Sequence, residues 1–168
     1  MADVLLVVDV QQGLVDALPP ERRTSFVDTL TGLIARARSR GTQLVYVRHG
    51  DEGLPAETPA WQIADAIRPR EGEPIVDKHQ ADAFEETDLA DVLAARGLDH
   101  LIVCGMQSDF CVDATARGAA RRDYRVTVVE DAHATYADDG GSDAEICHNV
   151  NHDLRSAGIG LVTAANAF

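Results

Sequence analysis

Residues 4–9 read Val4-Leu5-Leu6-Val7-Val8-Asp9, five consecutive apolar side chains that end on a carboxylate. A strand with one wet face alternates apolar and polar residues. An unbroken run is a strand buried on both faces, which is the habit of parallel sheets. Five more segments read as strands: 43–48, 74–77, 100–105, 125–130 and 159–163. Helical patterns lie between them. Phe26, Val27, Leu30, Leu33, Ile34 and Ala37 recur at helical spacing within 21–40, and Gly41 supplies the stop. A short helix is expected near 60–67. Thr87 reads as the N-cap of a helix that ends at Arg96-Gly97. Ser108 reads as the cap of a helix over 109–122, and 142–155 is a further helix.

Six strands alternating with helices imply one α/β domain over 1–168, with helices on both faces of a mostly parallel sheet. No repeat, linker or low-complexity tract interrupts it. In such folds the ligand sits outside the C-terminal ends of the strands, near the switch in strand order. That rule directs attention to Asp9, Arg48-His49, Lys78, residues 105–111 and residues 131–136.

Composition narrows the function. The 168 residues are 45% hydrophobic, enough for a folded core rather than a disordered chain. Fifteen basic against 28 acidic residues give a net charge of −13. Such a surface repels phosphate backbones and anionic lipid, so nucleic-acid and membrane partners are not expected. No apolar run approaches the roughly 18 residues of a spanning helix. The first ten residues lack the basic start and cleavage site of a signal peptide. Cys104, Cys111 and Cys147 are odd in number and form no CxxC, which suits reduced thiols in a cytoplasm. Fourteen of the basic residues are Arg, and Lys78 is the only lysine. It is either a remnant of an Arg-biased composition or a position that requires an amine able to exchange a proton.

The strand ends hold a coherent set of groups. Asp9 closes the first strand, Lys78 follows the third, and Cys111 lies in the first turn after Ser108. Taken singly, each has an ordinary explanation: a turn aspartate, a leftover lysine, a small buried thiol. Together they supply an acid, an amine and a nucleophile. A helix start and an ammonium stabilise a thiolate, and a carboxylate can take its proton. Backbone N–H groups of Cys111 and of the Gly105-Met106-Gln107 turn are placed to hold an oxyanion. That assembly suits acyl transfer through a thioester.

These residues and their surroundings resemble the isochorismatase-like cysteine hydrolases. The resemblance rests on VVDVQ around Asp9, TPAW at 58–61, DKHQADAF at 77–84, TDLADVL at 87–93, CGMQSDFCVDATARGAA around Cys111 and EDAHAT at 130–135. It implies a three-layer α/β/α sandwich with a six-stranded, mostly parallel, Rossmann-like sheet. It also implies an Asp9–Lys78–Cys111 triad, and a non-proline cis peptide between Met106 and Gln107 that shapes the oxyanion site. Gln11, Leu14, His49 and Trp61 are expected at the substrate, and a homodimer or homotetramer is expected by the same resemblance. The implied activity is cofactor-free hydrolysis of a C–N bond in a small amide, ureide or lactam. Alternatives are hydrolysis of another small substrate, or a non-catalytic binding role in the same fold.

Two departures bear on substrate. Many relatives carry an aromatic residue where Leu14 stands. Nicotinamidase-type relatives hold a metal through an Asp-x-His pair and a further His, whereas this chain reads Arg48-His49-Gly50-Asp51-Glu52. No metal is therefore expected. Cys111 with His133 and Asp131 would be a papain-like arrangement. Asp9 as a phosphatase nucleophile lacks a second Asp two residues on, where Gln11 stands. No GxGxxG follows a strand. His148, Asn149, Asn151 and His152 lack a metal-ligand spacing, and the acidic 137–145 stretch lacks that of a calcium loop. Trp61 is read equally as a pocket wall or as packing, and Phe84 and Phe110 as core or pocket wall.

Overall fold

The computed structural model describes residues 2–168. Six strands run in the order β3-β2-β1-β4-β5-β6, and every neighbouring pair is parallel. They are β1 (Ala2–Val8), β2 (Gln43–His49), β3 (Ile75–Lys78), β4 (Leu98–Met106), β5 (Arg125–Ala134) and β6 (Gly160–Val162). The chain builds outward from β1 to one edge, returns, and builds to the other. The cleft between the ends of β1 and β4 is thus the switch point where open α/β sheets take ligands.

The apolar run of β1 divides between two cores. Val4, Leu6 and Val8 face one hydrophobic cluster, and Leu5 and Val7 face the other. The second cluster is sealed by α2 (Pro20–Ser39), through Phe26, Leu30, Leu33, Ile34 and Ala37. The first holds the buried faces of α3 (Leu89–Ala94), α4 (Asp113–Ala120) and α5 (Asp143–Ser156). Three layers result, and the unbroken hydrophobicity of β1 follows from having a helical layer on each side.

Several elements differ from their sequence reading. The segment expected as a short helix at 60–67 is two 3₁₀ turns, Pro59–Trp61 and Asp65–Ile67. An extra short helix, α1 (Gln12–Asp16), follows β1. Thr87 is not the N-cap of α3: Asp88 holds that place, and the Thr87 hydroxyl accepts from the Leu89 amide at 3.3 Å. β5 runs four residues past Glu130, because Gly105 and Met106 of β4 offer it pairing with His133 and Ala134 after a register shift. At α5 the Ser142 hydroxyl accepts from the Glu145 amide, and the Glu145 carboxylate accepts from the Ser142 amide, a complete capping box.

Gly105 is required by the close approach of β4 to β1. Its φ is +128°, and a Cβ there would lie 2.0 Å from the Val8 carbonyl oxygen. Among the described residues no helix is long and apolar enough to cross a membrane.

Candidate active site

Three strand ends converge beside the switch point. Asp9 follows β1 directly and takes a left-handed conformation, φ 50°, which Asp tolerates better than most residues. Its amide donates to the Val47 carbonyl of β2 at 3.0 Å. Lys78 is the last residue of β3. Its ammonium lies 2.9 Å from Asp9 Oδ2, with both side chains withdrawn from water. The same nitrogen is 2.8 Å from the Gln80 carbonyl, 3.3 Å from Cys111 Sγ and 3.1 Å from His49 Nδ1. Facing an ammonium, His49 Nδ1 can only accept. The ring proton then sits on Nε2 and points to Asp51 Oδ2 at 3.1 Å.

Cys111 is carried not by an ordinary first helical turn but by a π-helical turn, Ser108–Val112, that precedes α4. Gln107 occupies the cap position, and its carbonyl accepts from the amides of Phe110 and Val112 at 3.2 and 3.1 Å. Such widened turns are frequent at functional sites. The Met106–Gln107 peptide is cis. Ser108, read from sequence as a cap, turns inward and is fully buried. Its hydroxyl donates to His133 Nδ1 at 2.8 Å and lies 3.2 Å from Cys147 Sγ. Behind it, His133 Nε2 donates to Asn151 Oδ1 at 2.9 Å, and Asn151 Nδ2 donates to the Glu130 carbonyl at 2.9 Å. Arg22 pairs with Asp143 and donates to the His133 carbonyl at 2.8 Å.

The electrostatics favour a protonated thiol at rest. Burial pushes the Cys111 thiol up to about 12; the Asp9 charge adds to this and the Lys78 ammonium opposes it. Burial also raises Asp9 above the usual carboxylate range, against the opposing pull of Lys78, the Cys111 thiol and His49. Asp9 Oδ1 is buried without a hydrogen-bond partner. A buried carboxylate oxygen of raised basicity beside a neutral thiol is equipped to receive that thiol's proton.

A cavity of about 640 Å³ opens over this cluster. Asp9, Leu14, His49, Gln107 and Cys111 line it, together with Phe110, which is 57% exposed. Met106 is fully buried in the core beneath. Gln11 and Trp61 stand behind the wall rather than on it. The Gln11 amide donates to the His49 and Trp61 carbonyls at 2.8 Å each and accepts from the His49 amide at 2.8 Å, so it pins the end of β2. Arg48 stacks 3.4 Å over the Trp61 ring. Phe84 is buried and packs on Tyr124 with ring centroids 5.4 Å apart.

The rival arrangements do not assemble. Both ring nitrogens of His133 are spent on Ser108 and Asn151, and Asp131 accepts from the Ala164 amide at 2.6 Å, so no papain-like pair forms with Cys111. Gln11, which stands where a phosphatase would need its second Asp, is fully buried in its amide bridge. The acidic 137–145 stretch closes on itself, with Asp138 accepting from the Gly140 amide at 2.6 Å and Asp143 paired to Arg22. Among the described residues no three His, Cys, Asp or Glu side chains gather as a metal site. Sequence reasoning missed the Ser108–His133–Asn151 chain and the place of Asp51 on the cavity wall. Both depend on contacts between segments that no local pattern announces.

Known proteins resemble the chain in sequence and in fold. The family described as the isochorismatase domain matches residues 3–151. A streptothricin hydrolase of Streptomyces noursei is 40% identical over 140 residues, 79% of this chain and 49% of that protein. The chain spans about half the length of the streptothricin hydrolases it matches. Among solved structures, an isochorismatase from Pseudomonas putida KT2440 superposes with a TM-score of 0.88 at 30% identity, covering 99% of this chain and 90% of that one. An N-carbamoylsarcosine amidase from Thermoplasma acidophilum superposes with a TM-score of 0.82 at 27% identity, covering 98% and 97%.

Proposed function

The chain belongs to the isochorismatase domain family, and from that premise we propose that it is a cysteine hydrolase of small amides, ureides or lactams. The observation that carries the proposal is the Lys78 ammonium, held within 2.9 Å of Asp9 and 3.3 Å of Cys111 under an open cavity. Support also comes from two relatives, a streptothricin hydrolase and an N-carbamoylsarcosine amidase.

In the proposed cycle Asp9 takes the Cys111 thiol proton as sulfur attacks the carbonyl carbon. Lys78 balances the negative charge as it passes between carboxylate and sulfur. The tetrahedral oxyanion is held by backbone N–H groups of Gln107 and Cys111. Collapse breaks the C–N bond, and the leaving amine carries away the proton from Asp9. Water then gives a proton to Asp9 and attacks the thioester. The C–S bond breaks, a carboxylic acid departs and the thiol is restored. Leu14, His49 and Gln107 contact the substrate, and Gln11 and Trp61 hold the wall that presents it. No cofactor takes part. A reducing, cytoplasmic setting suits the three free thiols, and self-association as a dimer or tetramer belongs to the same proposal.

The test is ammonia or amine release across a panel of small amides, ureides and lactams, run beside Cys111→Ser. Release by the native chain and none by the variant supports the proposal. Equal release by both would exclude it.

A further inference from the structure

The charges around the cavity do not cancel. Asp9 is neutralised by Lys78, whose ammonium is buried behind the wall. A proton on His49 Nδ1 would point at that ammonium, so Nδ1 accepts and the ring donates to Asp51 through Nε2. Asp51 remains. Its Oδ1 accepts from the Gly53 and Leu54 amides at 2.8 and 2.9 Å, and its Oδ2 from His49. Burial would raise its pKa, but the hydrogen bonds from His49, Leu54 and Gly53, with the electrostatic pull of His49, outweigh it and keep Asp51 below the usual carboxylate range, so it is ionised.

No guanidinium answers it. Among the described residues that line the cavity there is no Arg and no Lys. Arg48, next to His49 in the chain, does not line the cavity. It pairs with Asp77 through two nitrogens at 2.7 and 3.1 Å, donates to Gln62 at 3.0 Å and stacks on Trp61. A substrate carboxylate entering here would meet the Asp51 carboxylate and find no donor fork, the usual partner of a bound carboxylate. The net charge of −13 adds a long-range potential of the same sign.

We propose that the cavity selects an amide or lactam whose other end carries a protonated amine, and that Asp51 is the residue that makes this selection. The substrate part rests on the hydrolase reading above. The charge part does not.

The charge part is tested on the intact protein without any hydrolysis. Cys111 is labelled with a matched pair of methanethiosulfonates, one bearing trimethylammonium and one bearing sulfonate. Peptide mass analysis locates the label, and N-acetylcysteine amide gives the reference ratio of rates. The cationic reagent is expected to be favoured at Cys111 by at least about tenfold over that reference at low salt. Asp51→Asn is expected to remove most of the preference. A ratio equal to that of the free thiol, or one that Asp51→Asn leaves unchanged, overturns the assignment to Asp51. The substrate part is read from ammonia release by 4-aminobutanamide against succinamate. Preference for the ammonium amide supports it, and preference for the carboxylate amide overturns it. Turnover of neither, when the wider panel of amides, ureides and lactams does give release, overturns the substrate part alone; no release anywhere in that panel rejects the hydrolase reading as well, while the cation preference of the cavity stands on the labelling.

Discussion

Lys78 donates to Asp9 across 2.9 Å, and neither side chain reaches solvent. A buried ion pair is weak evidence for stability, because desolvation offsets much of the attraction, but breaking it strands a charge. Lys78→Met is expected to destabilise the fold by about 3–5 kcal/mol in urea unfolding. Adding Asp9→Asn should restore most of that loss, and hydrolysis should stay absent in both variants. If Lys78→Met alone unfolds like the native chain, Asp9 has taken up a proton instead.

Cys111→Ala should lower turnover by about 10⁴-fold or more while the circular dichroism spectrum is unchanged. Retention of more than a few per cent of the activity would move the nucleophile elsewhere.

The raised thiol gives a pH dependence with a defined sign. In the unfolded chain a cysteine releases its proton near the ordinary 9.0, whereas folded Cys111 holds it to about 12. Over that window the folded state binds more protons, so stability falls as pH rises from about 9 toward 12. Urea midpoints of the native chain and of Cys111→Ala should converge across the window. Alkylation of resting Cys111 by iodoacetamide should be slow at pH 7 and climb through the alkaline range. A fast reaction at pH 7 would indicate a resting thiolate.

Burial lowers the pKa of His133, against the opposing hydrogen bond to Asn151. An unfolded histidine gains its proton near 6.5, so stability is complete above that pH and declines as pH falls toward the folded value. Protonation would also deprive the Ser108 hydroxyl of its acceptor. Ser108→Ala is expected to lower kcat by about tenfold with KM nearly unchanged, since it loosens the turn under Cys111 without touching the cavity wall. An equal change in KM would point to a role at the substrate instead.

Gly105→Ala should destabilise by at least about 3 kcal/mol, because the added methyl meets backbone, not a flexible side-chain tip. Native-like denaturation would show that β1 and β4 can part at this point.

β1, β2 and β4 are legible because burial on both faces leaves them no polar alternation; β3, β5 and β6 are legible as short β-branched runs between helical patterns and turn residues. Asp9, Lys78 and Cys111 were readable because strand ends in this architecture face one cleft. Other features were not. The 49–73 stretch is rich in Gly and Pro, and its 3₁₀ turns at Pro59–Trp61 and Asp65–Ile67 answer to tertiary contacts, among them the Gln11 side chain donating to the Trp61 carbonyl. Ser108 looked like a cap because a short polar residue between strand and helix usually is one. Its partner, His133, lies 25 residues away on β5. Trp61 and Gln11 sit beside the site in sequence motif and behind it in space, a difference of one side-chain direction that spacing does not encode.

The chain's only lysine closes β3, a four-residue strand at the rim of the sheet that pairs with β2 alone. Edge strands of this length are among the first elements to open in native-state fluctuations. Inactivation by mild denaturant should therefore precede loss of the helical signal and track hydrogen exchange of the Val76 and Lys78 amides. Operational lifetime would then be set by local fraying at one margin of the sheet, and engineering for durability belongs at the β2–β3 seam, not in the two cores.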